Sequence, residues 1–504
     1  MKLDFGTAGI RGVVGDQIDQ LNQAHVARVI DGYAKYLIAN VKDAKNRGVI
    51  IGRDNRLRGK IFANISAKIL TSYGIKVYFN NQMLATPFIS FLTINKQAAG
   101  AINITASHNP KSYNGIKLYN QFGAQMLPEE VKLLKTYFCD YQNYLTYFDF
   151  DQEVQNQLVI DITEVDQNAY LDQIKQLNFS QTNLANLKIV YSPLHGTGYQ
   201  YIKKLLDESQ IEVHYQSDEI IEDPNFSFVA NPNPESKSAF KNCINLANQF
   251  DCDLILITDP DADRLGVAIR KDNDFVLLNG NEMAILICDY LLKYQPIDLA
   301  KRPYLIYSLV SSSLPAQMAK AHGLKTYHCQ TGFKWIGNLI NQLQNEQFFF
   351  AFEESYGCLI NGQTVCDKDA IQTFYLMLII SVMAKNNNLS LLDQLKNIYQ
   401  KYGYLKTETI NYDLNSLDQL ELIKTKFKQL NFANSTFIDY NQSANEIEKN
   451  DMLLYQFGNS WVALRPSGTE PKYKIYLHIV EKTKQQCELT FKQVLTIINP
   501  INHS

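Results

Sequence analysis

The chain has 504 residues, 46% of them hydrophobic and 20% charged, an ordinary composition for a globular protein. This length exceeds what one hydrophobic core organises and predicts about three to four domains. The formal net charge of −3 gives no bulk basicity, which argues against binding to nucleic acid. The eight cysteines show no C-x-x-C spacing, which argues against a zinc site or a disulfide framework and indicates a reducing compartment.

No segment of the sequence predicts contact with a membrane. The first residues, Met1 to Gly6, lack the apolar core of a signal peptide. The longest apolar run, Phe374 to Ala384, is too short to cross a bilayer and predicts a buried helix. We therefore expect a cytoplasmic protein.

Helix and strand patterns alternate along most of the chain. The first series comprises a helix over 20–40, a strand at 49–52, a helix over 60–73 and strands at 76–79 and 100–104. A second series begins near Leu187 and includes a strand at 253–258; a third begins near Asn281 and includes strands at 304–310 and 348–352. Strands that alternate with helices of this length predict parallel, doubly wound sheets, in which ligands lie beyond the C-terminal ends of strands.

The pattern changes from about Tyr404. Strands are predicted at 407–412, 452–457, 461–464 and 472–479, with helices over 417–430 and 485–498. This predicts an α+β domain. The sequence therefore divides into three similar α/β domains and a C-terminal α+β domain around a central cleft, with predicted limits at 1–180, 181–280, 281–400 and 401–504.

A serine follows the predicted strand at 100–104, in Thr105-Ala106-Ser107-His108-Asn109-Pro110. The proline disfavours helix before it and opens the loop. A serine at such a strand end can carry a covalent phosphate; a turn serine that bonds its own backbone is the alternative. A Ser-His-Asp hydrolase is disfavoured because there is no G-x-S-x-G motif. His108, adjacent in sequence, is expected to orient phosphate or the loop and not to act as the base of Ser107.

Three carboxylates alternate just past the strand at 253–258, on Asp259, Asp261 and Asp263. They cannot share one small loop unless a cation neutralises them, and hard oxygen ligands favour Mg²⁺ over zinc. An EF-hand is excluded because the sixth and twelfth positions are arginines, where glycine and glutamate are required. A solvated acidic turn is one alternative. A haloacid-dehalogenase-type phosphatase is another, but it leaves the serine motif without a role.

Further polar motifs suit a phosphorylated, hydroxyl-rich ligand. One combines a planar donor, hydroxyls and free backbone amides that can grip a phosphate: Arg465, Ser467, Gly468 and Thr469. Glu353 and Ser355 follow the strand at 348–352 and offer an acceptor and a donor to sugar hydroxyls. The glycine-rich segment 6–12 carries Arg11, which can reach phosphate. Each motif alone is weak, but the ordered set predicts phosphoryl transfer on a sugar.

In their order, the motifs resemble the α-D-phosphohexomutase family, specifically its phosphoglucomutase/phosphomannomutase type, over essentially the whole chain. The matching strings are Gly-Thr-Ala-Gly-Ile-Arg-Gly, Thr-Ala-Ser-His-Asn-Pro, Asp-Pro-Asp-Ala-Asp-Arg, Glu-Glu-Ser-Tyr-Gly and Arg-Pro-Ser-Gly-Thr-Glu-Pro. The resemblance implies a phosphoserine at Ser107, whose phosphate binds Mg²⁺ together with Asp259, Asp261 and Asp263. It places near the transferring phosphate Arg11, His108 and Lys117. It assigns to the substrate Arg264, Gly332, Lys334, Glu353, Ser355 and Lys368, and to the distal phosphate Arg465, Ser467, Gly468 and Thr469.

One departure bears on the substrate. Many bacterial phosphomannomutases and phosphoglucosamine mutases have Ser-Gly-His after the sugar-loop glutamate, whereas this chain has Ser355-Tyr356-Gly357. This resembles the phosphoglucomutase branch that also includes phosphopentomutases. The resemblance therefore implies an isomerase of carbohydrate metabolism that interconverts α-D-glucose 1-phosphate and 6-phosphate through a hexose 1,6-bisphosphate, which also serves as activator.

Alternatives stay open at this point. Phosphomannomutase or phosphopentomutase activity is compatible with the same motifs, and a Mg²⁺-dependent sugar phosphatase would share the aspartate loop. A catalytically silent sugar-phosphate-binding protein is disfavoured because Ser107, the three aspartates and Lys117 are all intact. The expected partners are small sugar phosphates, and the expected oligomeric state is a monomer or dimer.

Overall fold

The computed structural model describes residues 3–6, 9–146, 154–207, 209–414, 418–466 and 472–499. Four β-sheets follow one another along this part of the chain. Among the helices so described, none is both long enough and apolar enough to cross a membrane.

The first sheet has seven strands. In spatial order they are Phe5–Gly6, Gly9–Val13, Tyr113–Tyr119, Gly100–Ile104, Val49–Arg53, Val77–Tyr78 and Val159–Ile160. The accompanying helices are Gln23–Asn40, Ala44–Arg47, Gly59–Ser72, Thr86–Asn95, Pro128–Lys135, Tyr141–Thr146 and Glu164–Lys175. The helices Gln23–Asn40 and Gly59–Ser72 pack against each other with apolar, buried faces.

The second sheet has five strands and the third has four. The second sheet is ordered Asp274–Leu278, Leu265–Lys271, Leu254–Thr258, Ala185–Ser192 and Gln210–Tyr215, with helices Tyr199–Leu206 and Lys241–Gln249. The third is ordered Lys325–Cys329, Tyr304–Ser308, Phe348–Glu353 and Gly357–Leu359, with helices Gly280–Tyr294, Leu314–Ala321, Phe333–Gln342, Ala370–Asn386 and Leu391–Tyr402.

These three sheets are mixed, not purely parallel as the alternating pattern predicts. In each, one of the parallel strands is followed directly by an antiparallel neighbour, and the connecting segments are 105–112, 259–264 and 354–356. A parallel connection needs a crossover of about a dozen residues or more, so such short connections force the chain to turn back. Each connection therefore leaves the C-terminal end of a parallel strand, where ligand sites of α/β sheets lie.

The fourth sheet is antiparallel throughout, as in the expected α+β domain. Its strands are ordered Tyr404–Asp413, Lys472–Glu481, Ser460–Pro466, Leu453–Phe457 and Thr436–Asp439, with helices Asp418–Lys428 and Lys484–Ile498. An apolar cluster that includes Leu309, Val310, Trp461 and Tyr476 joins this sheet to the third.

The helix Ala370–Asn386 connects two of the sheets. Nearly every residue along it is buried, as expected from its continuous apolar run. It contacts strands of the second sheet, Ala185–Ser192 and Leu265–Lys271, and Gly357–Leu359 of the third. One apolar core consequently runs through the first three sheets, which fixes their functional loops relative to one another.

Candidate active site

Ser107 lies buried at the start of the first connection. Its backbone adopts a left-handed conformation, with φ of 52°, which is sparsely populated for residues other than glycine. Its N–H donates to Thr105 Oγ1 at 2.8 Å, and its hydroxyl donates to Asp259 Oδ2 at 2.9 Å. The loop thus holds the serine side chain against the aspartate loop of the second sheet.

Arg56 holds the serine loop in this shape. Its guanidinium donates to four backbone carbonyls of the loop and the strand after it, those of Ser107, Asn109, Pro110 and Tyr113, at 2.5 to 2.9 Å. Arg56 is buried and its Nε lies 3.3 Å from Asp54 Oδ2. Asp54 in turn accepts from Thr105 Oγ1 at 2.5 Å. A buried ion pair therefore fixes both ends of the turn that presents Ser107.

The aspartate loop, residues 259–264, is attached to the first sheet as well as to its own. Thr86, at the start of a first-domain helix, donates its N–H to Asp261 O at 2.8 Å and its hydroxyl to Asp261 Oδ2 at 2.6 Å. Within the loop, Asp259 Oδ1 accepts the N–H groups of Asp263 and Arg264, each at 3.0 Å. These bonds and the Ser107–Asp259 contact hold the aspartate loop beside Ser107.

Lys117 is the counter-charge of the aspartate loop. Its Nζ lies 2.6 Å from Asp261 Oδ2 and 3.0 Å from Asp263 Oδ2, and all three side chains are buried. Burial opposes the charge of this lysine, but the two carboxylates outweigh it and raise the pKa of Lys117. For Asp259, which has no such lysine, burial and the neighbouring carboxylates raise the pKa well above its usual range. Among the described residues, Lys117 thus pairs with Asp261 and Asp263 and leaves Asp259 without a lysine partner.

The three carboxylates of the aspartate loop are arranged as ligands for a cation. One oxygen of each carboxylate from Asp259, Asp261 and Asp263 lies within 4.8 Å of the others. Asp261 Oδ1 and Asp263 Oδ1 are buried and have no hydrogen-bond donor among the described residues. A buried carboxylate oxygen without a donor is costly unless a metal ion coordinates it. The three aspartates are therefore a site that can bind a metal ion.

His108 and Arg11 line the same pocket. His108 Nδ1 lies 3.2 Å from Ser107 Oγ, so the two neighbouring side chains contact each other. The left-handed backbone at Ser107 brings the side chains together. Burial, with Arg264 and Arg11 nearby, lowers the pKa of His108 well below its usual value. Arg11 donates to Asn109 Oδ1 at 2.7 Å, while its buried Nε has no acceptor in the described structure.

Two further cationic side chains, those of Arg264 and Lys368, lie beside Asp263. Arg264 Nη1 donates to Glu235 Oε1 at 2.6 Å, and Arg264 Nε lies 3.8 Å from Asp263 Oδ1. Lys368 Nζ, from the third domain, lies 3.2 Å from Asp263 Oδ2. Arg11, Lys117, Arg264 and Lys368 thus surround a position beside Ser107 with positive charge, which suits a phosphate dianion.

The third connection brings Glu353 to the cleft. Glu353 is buried at the end of its strand, and Oε1 accepts the Gly332 N–H at 2.7 Å. Gly332 has φ of 113°, a conformation that favours glycine, and Lys334 follows it on helix Phe333–Gln342. Burial raises the pKa of Glu353 and lowers that of Lys334. Ser355 is half-buried on the same loop.

Glu354 has a different role from its neighbour. Its Oε2 accepts from Ser308 Oγ at 3.0 Å and Ser311 Oγ at 2.9 Å, which ties the loop to the third sheet. Its N–H also donates to Ser311 Oγ at 2.9 Å. Glu354 therefore anchors the loop and leaves Glu353 and Ser355 as its candidate ligand contacts.

The predicted distal phosphate site is described only at its start. Arg465 lies half-buried on strand Ser460–Pro466, paired in register with Lys474. Ser467, Gly468 and Thr469 lie outside the described residues. Burial raises the pKa of Tyr476, on the adjacent strand, and the carboxylate of Glu354 adds to this. Tyr476 also lies in the apolar cluster that joins the fourth sheet to the third.

Sequence reasoning missed the residues that support the site. Arg56, Asp54 and Thr86 bind no expected ligand, yet they fix Ser107 and Asp261. The sequence does mark Asp54 and Arg56, because they follow directly on the buried strand Val49–Arg53, and polar residues at the C-terminal end of such a strand indicate a functional site. Thr86 begins a helix with no polar pattern, and nothing local marks it.

Comparisons with known proteins agree with this geometry. Models of the phosphoglucomutase/phosphomannomutase family match as alpha/beta/alpha domain I over residues 2–144, domain II over 168–272 and domain III over 279–402. The chain is 33% identical to the phosphomannomutase of Mycoplasmoides pirum, over 99% of this chain and 93% of that one. It is 32% identical to the phosphoglucomutase of Staphylococcus saprophyticus, over 97% and 93%.

Solved structures share the fold at lower identity. The open form of parafusin, a phosphoglucomutase from Paramecium, superposes with a TM-score of 0.73 at 18% identity, over 100% of this chain and 97% of that one. An Aspergillus fumigatus N-acetylphosphoglucosamine mutase, solved in complex with GlcNAc-6P and magnesium, gives 0.52 at 13% identity, over 100% and 96%. The three α/β domains and the C-terminal sheet domain expected from the sequence are confirmed. The chain belongs to the phosphoglucomutase/phosphomannomutase family of α-D-phosphohexomutases and is a phosphotransferase of the isomerase type.

Proposed function

We propose that this enzyme interconverts α-D-glucose 1-phosphate and α-D-glucose 6-phosphate through a phosphoserine at Ser107 and a glucose 1,6-bisphosphate. One observation carries the proposal: the Ser107 hydroxyl contacts Asp259 at 2.9 Å, at the edge of a buried carboxylate cluster that Lys117 only partly neutralises. A nucleophile, a cation site and surrounding positive charge are the parts that phosphoryl transfer requires.

The reaction proceeds in two transfers. The phosphoryl group leaves Ser107 Oγ for the free hydroxyl of the hexose phosphate, and the proton of that hydroxyl ends on the serine oxygen. The resulting bisphosphate turns end for end, and the Ser107 hydroxyl takes the other phosphoryl group and gives up its proton to the sugar oxygen. Arg11, Lys117 and Lys368 balance charge on the transferring group, while Arg465 and residues 467–469 grip the distal phosphate.

Mg²⁺ is the proposed metal. Asp259, Asp261 and Asp263 would hold it together with the phosphate on Ser107, and it would neutralise charge on the transferring oxygens. Their all-oxygen donor set supports this choice. The magnesium named with the Aspergillus mutase is in keeping with it.

Exclusion of water separates a mutase from a phosphatase. Ser107 has 1% of its surface exposed and the three aspartates have none. A phosphoserine so placed would hydrolyse slowly, and closure of the fourth domain over the cleft would shield it further. These features favour transfer to a sugar over transfer to water.

The preference for glucose rests on the sugar loop. Glu353 presents a buried carboxylate that accepts the Gly332 N–H, and Gly357 stands where the resemblance places the histidine of many bacterial phosphomannomutases. Relatives of similar identity, 33% and 32%, carry the names phosphomannomutase and phosphoglucomutase, so mannose phosphate is the second candidate. We further propose domain limits near residues 180, 280 and 400, between the four sheets.

Parallel assays test the proposal. Glucose, mannose and ribose 1-phosphates would each be supplied with Mg²⁺ and a trace of the corresponding bisphosphate, and kcat/KM compared. Glucose 1-phosphate should give the highest value, with release of inorganic phosphate far below turnover. Higher kcat/KM for mannose or ribose 1-phosphate would refute the substrate assignment, and phosphate release equal to turnover would identify a phosphatase.

A further inference from the structure

Lys368 shares one oxygen atom with another lysine. Its Nζ lies 3.2 Å from Asp263 Oδ2, and Lys117 Nζ lies 3.0 Å from the same atom. Two ammonium groups beside one carboxylate oxygen repel each other, and the interaction is strong away from water. Lys117 is buried on a central strand of the first sheet, whereas Lys368 lies on a loop. The loop backbone must therefore be restrained if Lys368 is to keep its place.

The residue before Lys368 supplies one restraint. Asp367 Oδ2 accepts from the Tyr119 hydroxyl at 2.9 Å and from Gln125 Nε2 at 2.7 Å, and Oδ1 accepts the Lys368 N–H at 2.9 Å. Tyr119 and Gln125 belong to the first domain, while Asp367 belongs to the third. This contact joins the Lys368 loop to the strand that carries Lys117.

The residue after Lys368 supplies the other. Asp369 accepts from the Tyr170 hydroxyl with both carboxylate oxygens, at 2.9 and 2.8 Å. Asp369 Oδ1 also caps helix Ala370–Asn386, since it accepts the N–H groups of Ile371 and Gln372 at 2.9 Å each. Tyr170 lies on helix Glu164–Lys175, and both side chains are buried. Lys368 is thus flanked by two aspartates, each bonded to a tyrosine from another part of the molecule.

We propose that the hydroxyls of Tyr119 and Tyr170 are positioning groups that, through Asp367 and Asp369, fix Lys368 beside Asp263 for phosphoryl transfer. The inference rests on the proposed mutase function, in which Lys368 balances charge on the transferring group. Displacement of a charge-stabilising group by about 1 Å can cost about a hundredfold in rate. The two tyrosine hydroxyls donate to Asp367 and Asp369 and not to the aspartate loop, so the proposed route from them to the site runs through Lys368.

Phenylalanine substitutions test the two hydroxyls while keeping the rings that fill the core. Tyr119→Phe and Tyr170→Phe should each lower kcat on the order of tenfold and leave KM within about twofold. Tyr290→Phe is the matched control, because the Tyr290 hydroxyl is buried and bonded to Ser180 Oγ at 3.2 Å, and it bonds no carboxylate within the described part of the chain. Tyr290→Phe should lower the melting temperature by about as much as Tyr119→Phe and Tyr170→Phe do, and it should leave kcat unchanged.

A second background separates positioning from simple structural damage. In Lys368→Met enzyme, the single-turnover rate of Ser107 phosphorylation by glucose 1,6-bisphosphate should fall less than about twofold on adding Tyr119→Phe, because effects through one residue are not additive. A full tenfold loss in that background, or an unchanged kcat in both single variants, overturns the inference. Absence of mutase turnover in the unmodified enzyme would instead refute the proposed function.

Discussion

The Ser107 hydroxyl donates a hydrogen bond of 2.9 Å to Asp259 Oδ2, and this bond crosses from the first sheet to the second. Thr86 bonds Asp261 across the same boundary with both its backbone N–H and its hydroxyl. The candidate nucleophile and the candidate metal ligands are therefore positioned by contacts between the first and second domains. The apolar core that runs through the first three sheets holds these domains together.

Replacement of Ser107 by alanine removes the proposed phosphoryl carrier. Ser107→Ala should abolish mutase turnover and leave binding of glucose 1-phosphate within about threefold, because the charged groups around the site remain. Coupled assays and calorimetric titration measure the two quantities. Ser66→Ala is the control, since Ser66 is a buried helix serine whose hydroxyl donates to Phe62 O at 2.8 Å. Turnover above a few per cent in Ser107→Ala would rule out the phosphoserine.

Arg56 should be needed for both stability and rate. Arg56→Ala leaves Asp54 buried without its counter-charge and four carbonyls without donors, so we expect a loss of about 3–5 kcal/mol in unfolding free energy. Arg56→Lys keeps the charge but loses the planar fork, and should lower kcat at least tenfold with a smaller loss of stability. Arg58→Ala is a control, because Arg58 pairs with Asp16, which is largely exposed. Wild-type kcat in Arg56→Lys would show that the serine loop does not depend on this contact.

Much of this site could be predicted because its residues follow strands. At each of the three strand ends, Ile104, Thr258 and Glu353, polar residues follow an apolar run. Ligands of α/β sheets lie at the C-terminal ends of strands, and this rule predicts one cleft for Ser107, Asp259 and Glu353. The all-buried helix Ala370–Asn386 was equally clear, since no face of it is polar.

Long-range pairing could not be predicted in the same way. Tyr119 and Asp367 are separated by 248 positions, and neither lies in a local pattern that indicates the other. The contact between Ser107 and His108 depends on a left-handed backbone that no residue type in the loop requires. The antiparallel strand that follows each of the three connections could be predicted from sequence, because these connections are too short for a helical crossover; the third, 354–356, has only three residues.

Activity should depend on a divalent cation held by the aspartate loop. Chelation should abolish turnover and added Mg²⁺ should restore it. Independently of activity, Mg²⁺ should raise the melting temperature of the unmodified enzyme, because a ligand that binds only the folded state stabilises it. Asp261→Asn should show a smaller rise and a much lower kcat, since it removes one carboxylate charge from the cluster. Full activity in excess chelator, or an equal rise in melting temperature in the variant, would contradict the metal site.

Glu353 should sense the hydroxyls of the sugar. Glu353→Gln keeps an oxygen that can accept the Gly332 N–H, whereas Glu353→Ala also releases that loop. Both variants should lower kcat with glucose 1-phosphate and reduce the ratio of activity with glucose 1-phosphate to activity with mannose 1-phosphate. The alanine variant should show the larger loss of kcat. Glutamine separates the effect of the carboxylate charge from that of loop anchoring. An unchanged rate and an unchanged glucose-to-mannose ratio in both variants would remove the main support for the substrate assignment.

His478 lies where the fourth sheet meets the third. Its Nε2 accepts the Ser313 N–H at 3.2 Å and lies 3.0 Å from Ser312 Oγ, and its ring stacks on Trp461 with centroids 5.0 Å apart. The side chain is buried, and burial lowers the pKa of His478 to about 3. The folded protein therefore holds this imidazole neutral at pH values where the unfolded chain protonates it.

The pH dependence of stability follows with a definite sign. An unfolded histidine binds a proton near pH 6.5, so between about pH 6.5 and 3 the unfolded chain binds more protons and stability falls as pH falls. This one group should cost about 2 kcal/mol between pH 6.5 and 5. His478→Gln, which keeps an acceptor for the Ser313 N–H and does not titrate, should lose that component. Urea unfolding of both proteins in a Trp335→Phe background, with Trp461 as the sole tryptophan, measures the difference, because all other titrating groups cancel in the comparison. Equal pH dependence in the two proteins would show that His478 does not link protonation to docking of the fourth sheet.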